Sequence, residues 1–198
     1  MSVAPAREAI SGLILAGGRG QRLGGVDKGL QPWRGRPLVD HALARLAPQV
    51  NDVMISANRN APAYASRVTR VLADASDDFP GPLAGILSGL RAATTPWLAV
   101  VPCDSPCLPT DLVERLALGL AGAPGAVVQR AHGDGVLRLE PVCCLLSTTL
   151  ADDLSRYLAE GGRKVEGWLS RHATPVLFDR PEDATAFANI NTLADLER

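Results

Sequence analysis

This sequence of 198 residues lacks an excess of charge of either sign, with a formal net charge of −1 at pH 7. A near-neutral chain exerts no bulk pull on a polyanion. Nucleic acid is therefore not an expected partner, and any phosphate must be held by a local cluster. Metal-ligand spacing is missing too. The four cysteines stand at 103, 107, 143 and 144, none in a C-x-x-C pair, and the three histidines His41, His132 and His172 are scattered. Structural zinc sites need close pairs of such ligands. Cys143 and Cys144 lie in the apolar run 141–146. Successive strand side chains face opposite ways, so the two are unsuited to one ion. They read instead as buried small hydrophobes, and unpaired thiols fit a reducing compartment. No apolar stretch reaches transmembrane length, and the first nine residues carry no long apolar run of the kind a signal peptide needs. The expectation is a soluble cytoplasmic protein with no membrane contact. Repeats, low-complexity tracts and a clear linker are also absent.

What is present is an ordinary globular balance, 46% hydrophobic and 21% charged residues. The length fits one α/β domain able to bury a core without staples. Short apolar runs alternate with helical patterns. Runs 12–16, 53–57 and 97–101 read as strands, and 68–72 as a further one. Segments 38–46, 82–93 and 109–120 read as helices, with Leu38, Ala42 and Leu46 on one face of the first and Pro82 in the opening turn of the second. Such alternation predicts a mostly parallel sheet with helices on both sides. Beyond Gly125 the rhythm loosens. Strands are expected at 126–129 and 142–146 around a polar turn at 132–135, then helices near 148–160 and 164–171. Thr192-Leu-Ala-Asp195 reads as a capping box opening a last short helix.

After the first strand come Gly17, Gly18, Gly20, Gly24 and Gly25, with Arg19, Arg22 and Lys28 among or just after them. Glycines let backbone N–H groups close around an anion, and arginine and lysine add charge. In such sheets, ligands sit at the carboxyl ends of the strands, so the pattern predicts a phosphate site. It is neither of the common ones. A P-loop requires Gly before its lysine, and Asp27 precedes Lys28. A dinucleotide fingerprint starting at Gly18 would need Gly where Leu23 stands. A surface loop without a ligand is the remaining alternative.

The segment Leu15-Ala-Gly-Gly-Arg-Gly-Gln-Arg-Leu-Gly-Gly-Val-Asp-Lys-Gly-Leu30 resembles the opening signature of the molybdenum cofactor guanylyltransferases. These belong to the wider nucleotide-sugar pyrophosphorylase type of nucleotidyltransferase. The resemblance continues in the same order through Asp74, Pro80-Gly-Pro-Leu-Ala-Gly-Ile86, Pro102-Cys-Asp-Ser-Pro106 and Asn189-Ile-Asn-Thr192, across nearly the whole chain. It implies a three-layer α/β/α Rossmann-like nucleotidyltransferase fold over residues 1–198, with a nucleotide-binding half at about 10–125 and an acceptor half at about 126–198. The implied activity is transfer of GMP from GTP to the terminal phosphate of molybdopterin, releasing pyrophosphate. Transient contact with molybdoenzyme maturation proteins is also implied. Cytidylyl relatives usually carry Ala where this chain has Gly17, which leaves room for a larger base or closer backbone approach. A cytidylyl- or sugar-phosphate nucleotidyltransferase on the same fold, or a non-catalytic GTP-binding maturation factor, are the alternatives.

Asp104 follows the strongest predicted strand, on the rim that carries the glycine loop. Mg²⁺ is a hard cation that takes one or two carboxylates plus phosphate oxygens and water, which makes Asp104 the candidate metal ligand. A helix-start acid is the other reading. Arg22, Lys28 and Asp104 are the candidate catalytic residues. No Ser–His or Cys–His apparatus is required, because a phosphate acceptor is already a nucleophile. By the resemblance, Leu15, Ala16, Gly17, Gly18, Lys28, Ser56, Asp74 and Asp104 contact the nucleotide. Asp77 and Asp78 compete with Asp74 for its place, and Ser56 stands where many relatives have Asn. Gly81, Gly85, Asn189 and Asn191 are expected at the acceptor, with Arg163 and Lys164 available to its negative charge. Plain turns, caps and solvated charges explain the same residues structurally.

Overall fold

The apolar runs before Ala16, Ala57 and Cys103 form three neighbouring parallel strands. In the computed structural model, which describes residues 4–16, 26–73, 81–192 and 195, these are β1 (Ile10–Leu15), β4 (Asp52–Ser56) and β6 (Trp97–Pro102). Among the described residues, the short β2 (Pro32–Trp33) and β3 (Arg36–Pro37) pair only with each other. With β5 (Arg70–Leu72), β7 (Gly125–Ala131), β8 (Leu137–Ser147) and β9 (Ala173–Leu177), the first three strands build a seven-stranded sheet. Its order is β5-β4-β1-β6-β8-β7-β9. Only β8 runs against its neighbours, antiparallel to both β6 and β7, so the sheet is mostly parallel.

Helices cover both faces. On one side α1 (Leu38–Leu46) and α4 (Leu112–Leu118) pack with Phe178 and Phe187 over Ile14, Val101, Val128 and Cys143. On the other, α3 (Pro82–Ala92), α5 (Ala151–Ala159) and α6 (Val165–Leu169) cover Leu13, Val100, Val127 and Cys144. Each buried leucine or isoleucine on these faces contributes roughly 1.5–3 kcal/mol of burial. The vicinal cysteines thus face opposite layers, as their alternation requires, and both are buried.

Five features depart from the sequence expectation. The predicted strand 68–72 is only Arg70–Leu72, because a short helix, α2 (Ala61–Ala65), and its turn take up the chain before it. The β2–β3 hairpin turns through Arg34 and Gly35, both with positive φ, a tight turn that arginine does not signal. Strand β8 is eleven residues long, far beyond 142–146, since its first half pairs with β7 outside the apolar core. Strand β9 was not expected; Pro175 argues against a strand interior but is tolerated on this edge. The short α7 (Asp183–Ala186) was likewise unmarked. The capping box does form: Asp195 Oδ2 accepts from Thr192 N at 2.9 Å, and Asp195 N donates to Thr192 Oγ1 at 3.2 Å.

Candidate functional site

Connections from β1 lead first to β4 and β5 on one side, then back across to β6 on the other. The strand order therefore reverses between β1 and β6, where open α/β sheets bind their ligands. The strand ends are tied at that point. Ala16 N donates to Ser56 O at 2.8 Å, and Cys103 N donates to Leu15 O at 3.1 Å. Leu15 and Ala16 thus end β1 level with Asp104, one residue past the β6 extension. Gly17, Gly18 and Arg22 lie outside the described residues, as do Gly20, Gly24 and Gly25 of the glycine loop and Asp74, Asp77 and Asp78 of the acidic segment.

Three distant segments meet at one ammonium. Lys28 Nζ donates to Asp104 Oδ2 at 2.5 Å and to Asn191 Oδ1 at 2.8 Å, with the Lys28 and Asp104 side chains 20% and 19% exposed. The C-terminal tail is fastened beside them. Ile190 N donates to Asp104 O at 2.9 Å, and Ser105 Oγ to Asn189 Oδ1 at 2.6 Å. Asn189 and Asn191 flank Ile190, one holding the Pro102–Pro106 turn and the other the lysine. Among the predicted residues, Lys28, Asp104, Asn189 and Asn191 are therefore brought together.

The remaining candidates are placed differently. Ser56 is buried at the end of β4. A Cβ at Gly85 would come within 2.7 Å of Ser56 Oγ and 2.8 Å of a Leu15 methyl, so this glycine lets α3 approach the sheet. Gly81 caps α3 with φ +137, a conformation reserved for glycine, and faces open space. Arg163 donates to Leu158 O and Gly162 O, closing the end of α5. A 670 Å³ cavity lined by Trp97, Leu118, Leu120 and Pro124 opens at the amino end of β6, the rim opposite Asp104. Its lining carries no charged group.

Sequence reasoning missed the residues beneath Lys28. Asp27 accepts from Tyr64 OH at 2.5 Å and from Asn60 Nδ2 at 3.0 Å. Burial, and then the hydrogen bond to Asp27, push the Tyr64 hydroxyl pKa far up, so it stays a neutral donor. Beside Asp104, burial and the neighbouring carboxylate push the Cys103 thiol up to about 12, which leaves it a packing group rather than a nucleophile.

Asp104 and Asn191 offer oxygen donors of the kind a hard divalent cation prefers. Among the described residues no cluster of three His, Cys, Asp or Glu forms.

The chain resembles known proteins in both sequence and fold. Residues 12–176 match the MobA-like NTP transferase domain. The chain is 53% identical over 196 residues to the molybdenum cofactor guanylyltransferase of Ralstonia nicotianae, covering 96% of this chain and 95% of that one. It is 52% identical over 194 residues to the protein of the same name from Cupriavidus taiwanensis, covering 96% of each. Among solved structures, molybdopterin-guanine dinucleotide biosynthesis protein A from Archaeoglobus fulgidus shares the fold with a TM-score of 0.73 at 24% identity, over 94% of this chain and 95% of that one. The 4-diphosphocytidyl-2C-methyl-D-erythritol synthase of Anaerococcus prevotii shares it with a TM-score of 0.74 at 12% identity, over 96% of this chain and 93% of that one.

Proposed function

We propose a function from a plain premise: the chain belongs to the molybdenum cofactor guanylyltransferases, within the family of the MobA-like NTP transferase domain. It is a transferase that moves GMP from GTP to the terminal phosphate of molybdopterin. An oxygen of that phosphate attacks the α-phosphorus of GTP, the bond to the bridging oxygen of the β-phosphate breaks, and pyrophosphate leaves with that electron pair. The observation that carries the reading is the convergence of Lys28, Asp104 and Asn191 at the strand-order reversal.

The acceptor phosphate brings its own nucleophile, so the protein's work is alignment and charge neutralisation. Lys28 and Arg22 would stabilise the charge growing on the α-phosphate and on departing pyrophosphate. Leu15, Ala16, Gly17 and Gly18 would offer backbone contacts to the triphosphate, with Ser56 and Asp74 beside the nucleoside. Asp104 is the residue we assign to hold Mg²⁺, with Asn191 beside it; when bound, the ion would polarise phosphate oxygens. As Lys28 turns from Asp104 to phosphate, the carboxylate becomes available. We assign the nucleotide to residues 10–125 and the acceptor to 126–198, whose Asn189 and Asn191 reach across to the nucleotide half. Guanylyl rather than cytidylyl choice rests on the resemblance at Gly17 and on the relatives' printed names. No described helix is long and apolar enough to cross a membrane, and we place the reaction in the cytoplasm.

The test is pyrophosphate release from GTP, CTP, ATP and UTP, each with and without molybdopterin. Release from GTP that depends on molybdopterin is expected. Preference for another triphosphate would point to a different nucleotidyltransferase. GTP binding without release would identify a non-catalytic factor.

A further inference from the structure

Lys28 opens a short turn whose far end is held by Leu38 N donating to Gln31 O at 3.0 Å. Residues Lys28–Leu30 form a single 3-10 turn, followed at once by the small β2–β3 hairpin. A long, flexible lysine on such a turn would sample many positions, and ordering it costs side-chain entropy. Yet its ammonium is held between Asp104 and Asn191, in segments 76 and 163 residues away.

The fixing comes from α2. Its Tyr64 is fully buried, and the hydroxyl ends on Asp27 Oδ1, while Asn60 at the helix start ends on Oδ2. Both carboxylate oxygens of the residue before Lys28 are thus occupied. The carbonyl of Asp27 is held too, by Leu30 N at 3.2 Å and Gln31 Nε2 at 3.1 Å. On the other side of Lys28, Gly29 rests on the same tyrosine; a Cβ there would lie 2.5 Å from Tyr64 OH. One phenol therefore meets both neighbours of the lysine. The turn that follows α2 is itself anchored to α1 by the ion pair of Arg67 Nε with Asp40 Oδ1 at 2.5 Å. Simple core filling would need only a phenylalanine, and the hydroxyl is the part that touches the loop.

We infer that Tyr64, with Asn60, is the positioning residue for Lys28: through Asp27 and Gly29 it sets the turn that delivers the ammonium to Asp104. The inference deepens the reading of this site as a phosphate-transfer centre and rests on it. It adds to the reaction a residue that touches no substrate.

The chain offers an internal standard, because lysine occurs only at 28 and 164, and Lys164 is exposed. Trace acylation of the native protein, read by mass spectrometry as Lys28 over Lys164 modification, measures how firmly Lys28 is held and needs no substrate. Tyr64→Phe should raise that ratio several-fold and lower kcat about 10- to 100-fold, with a smaller change in KM for GTP, as misplacement of a reacting group does. Asn60→Gly removes one bond while accepting the left-handed φ of +53 at that position, and should move both readouts the same way by less. This variant keeps the test decisive if Tyr64→Phe does not fold. An unchanged ratio in both variants would overturn the inference. So would an equal rise at both lysines, which would mean general loosening. If wild-type protein releases no pyrophosphate from GTP, the guanylyl reading fails while the labelling result stands by itself.

Discussion

Two ion pairs divide the molecule. At the carboxyl rim, Lys28 meets Asp104 through a single ammonium contact, with a fifth of each side chain exposed. Beside α4, Arg115 grips Asp183 with two bonds of 2.9 Å each, and the carboxylate is 2% exposed. Arg180 N adds a third bond to Asp183, and the Arg115 guanidinium stacks on Phe178 at 3.6 Å. The first pair joins a compact, movable charge to an accessible carboxylate. The second joins a rigid fork to a buried one and is stacked in place. One arrangement can release its partner to a ligand; the other fastens α7 and the C-terminal tail to α4. Under the proposed function, polar groups in contact serve exchange at the rim and fixation in the body, and burial separates the roles.

The comparison breaks first if Lys28 proves structural. Lys28→Ala should lower kcat by about 10²–10³-fold, the usual loss when one preorganised donor to developing charge is removed. Its melting temperature should fall by less than that of Asp183→Ala, since the Lys28–Asp104 pair keeps more contact with solvent than the closed-off Asp183 carboxylate. Wild-type turnover, or a large fall in melting temperature, would place Lys28 with Arg115 instead. Asp104→Ala should lose activity together with its response to Mg²⁺; a variant whose Mg²⁺ titration matches wild type would remove Asp104 as the ligand.

On the other side, Asp183→Ala should cost about 3 kcal/mol of stability, because it removes both close bonds from a largely buried guanidinium and leaves it only the Asp111 carboxylate at 3.8 Å. Denaturant unfolding measures this, and a loss within error would show the pair to be no more than surface decoration. The pH dependence has a definite sign. Burial by itself would raise the Asp183 pKa, but hydrogen bonds from Arg115 and Arg180 N, with both guanidinium charges, bring it below the ordinary carboxylate value. A depressed folded-state pKa contributes stability that is fully present above the unfolded pKa, near 4, and is lost as pH falls through the folded value. Wild type should therefore lose its advantage over Asp183→Asn progressively below about pH 4. A gap that stays constant down to acid-induced unfolding would remove the linkage.

The same division explains what could be read from the sequence. Strands β1, β4 and β6 announce themselves as apolar runs, because a strand covered on both faces has no polar alternation to confuse it. Asp104 and Lys28 were legible since each lies beside a motif at a strand end or loop. Strand β9 was hidden by Pro175, and α2 by its length of five residues. Tyr64 was invisible as a functional group for a different reason. Its partner Asp27 is 37 residues away, and the fact that makes the pair informative, a phenol wedged against Gly29, exists only once α2 is folded beside the loop. A glycine directly after a charged loop residue was the one available hint.

The smallest expected effect tests how closed the sheet is directly beneath the exchangeable rim. Cys103 adjoins Asp104, yet burial holds its thiol up to about 12, and burial likewise raises Cys143, and Cys144 to about 12. The thiolate is the reactive form, so these three should resist alkylation at pH 8 in the native protein. Only Cys107, which is partly exposed, should take up label. Mass spectrometry after brief treatment with iodoacetamide should find one modification, and four after denaturation. Native labelling of Cys103 would mean that the fixed body opens next to Asp104, and the boundary between the exchanging rim and the fastened core would then lie at least one residue deeper in β6.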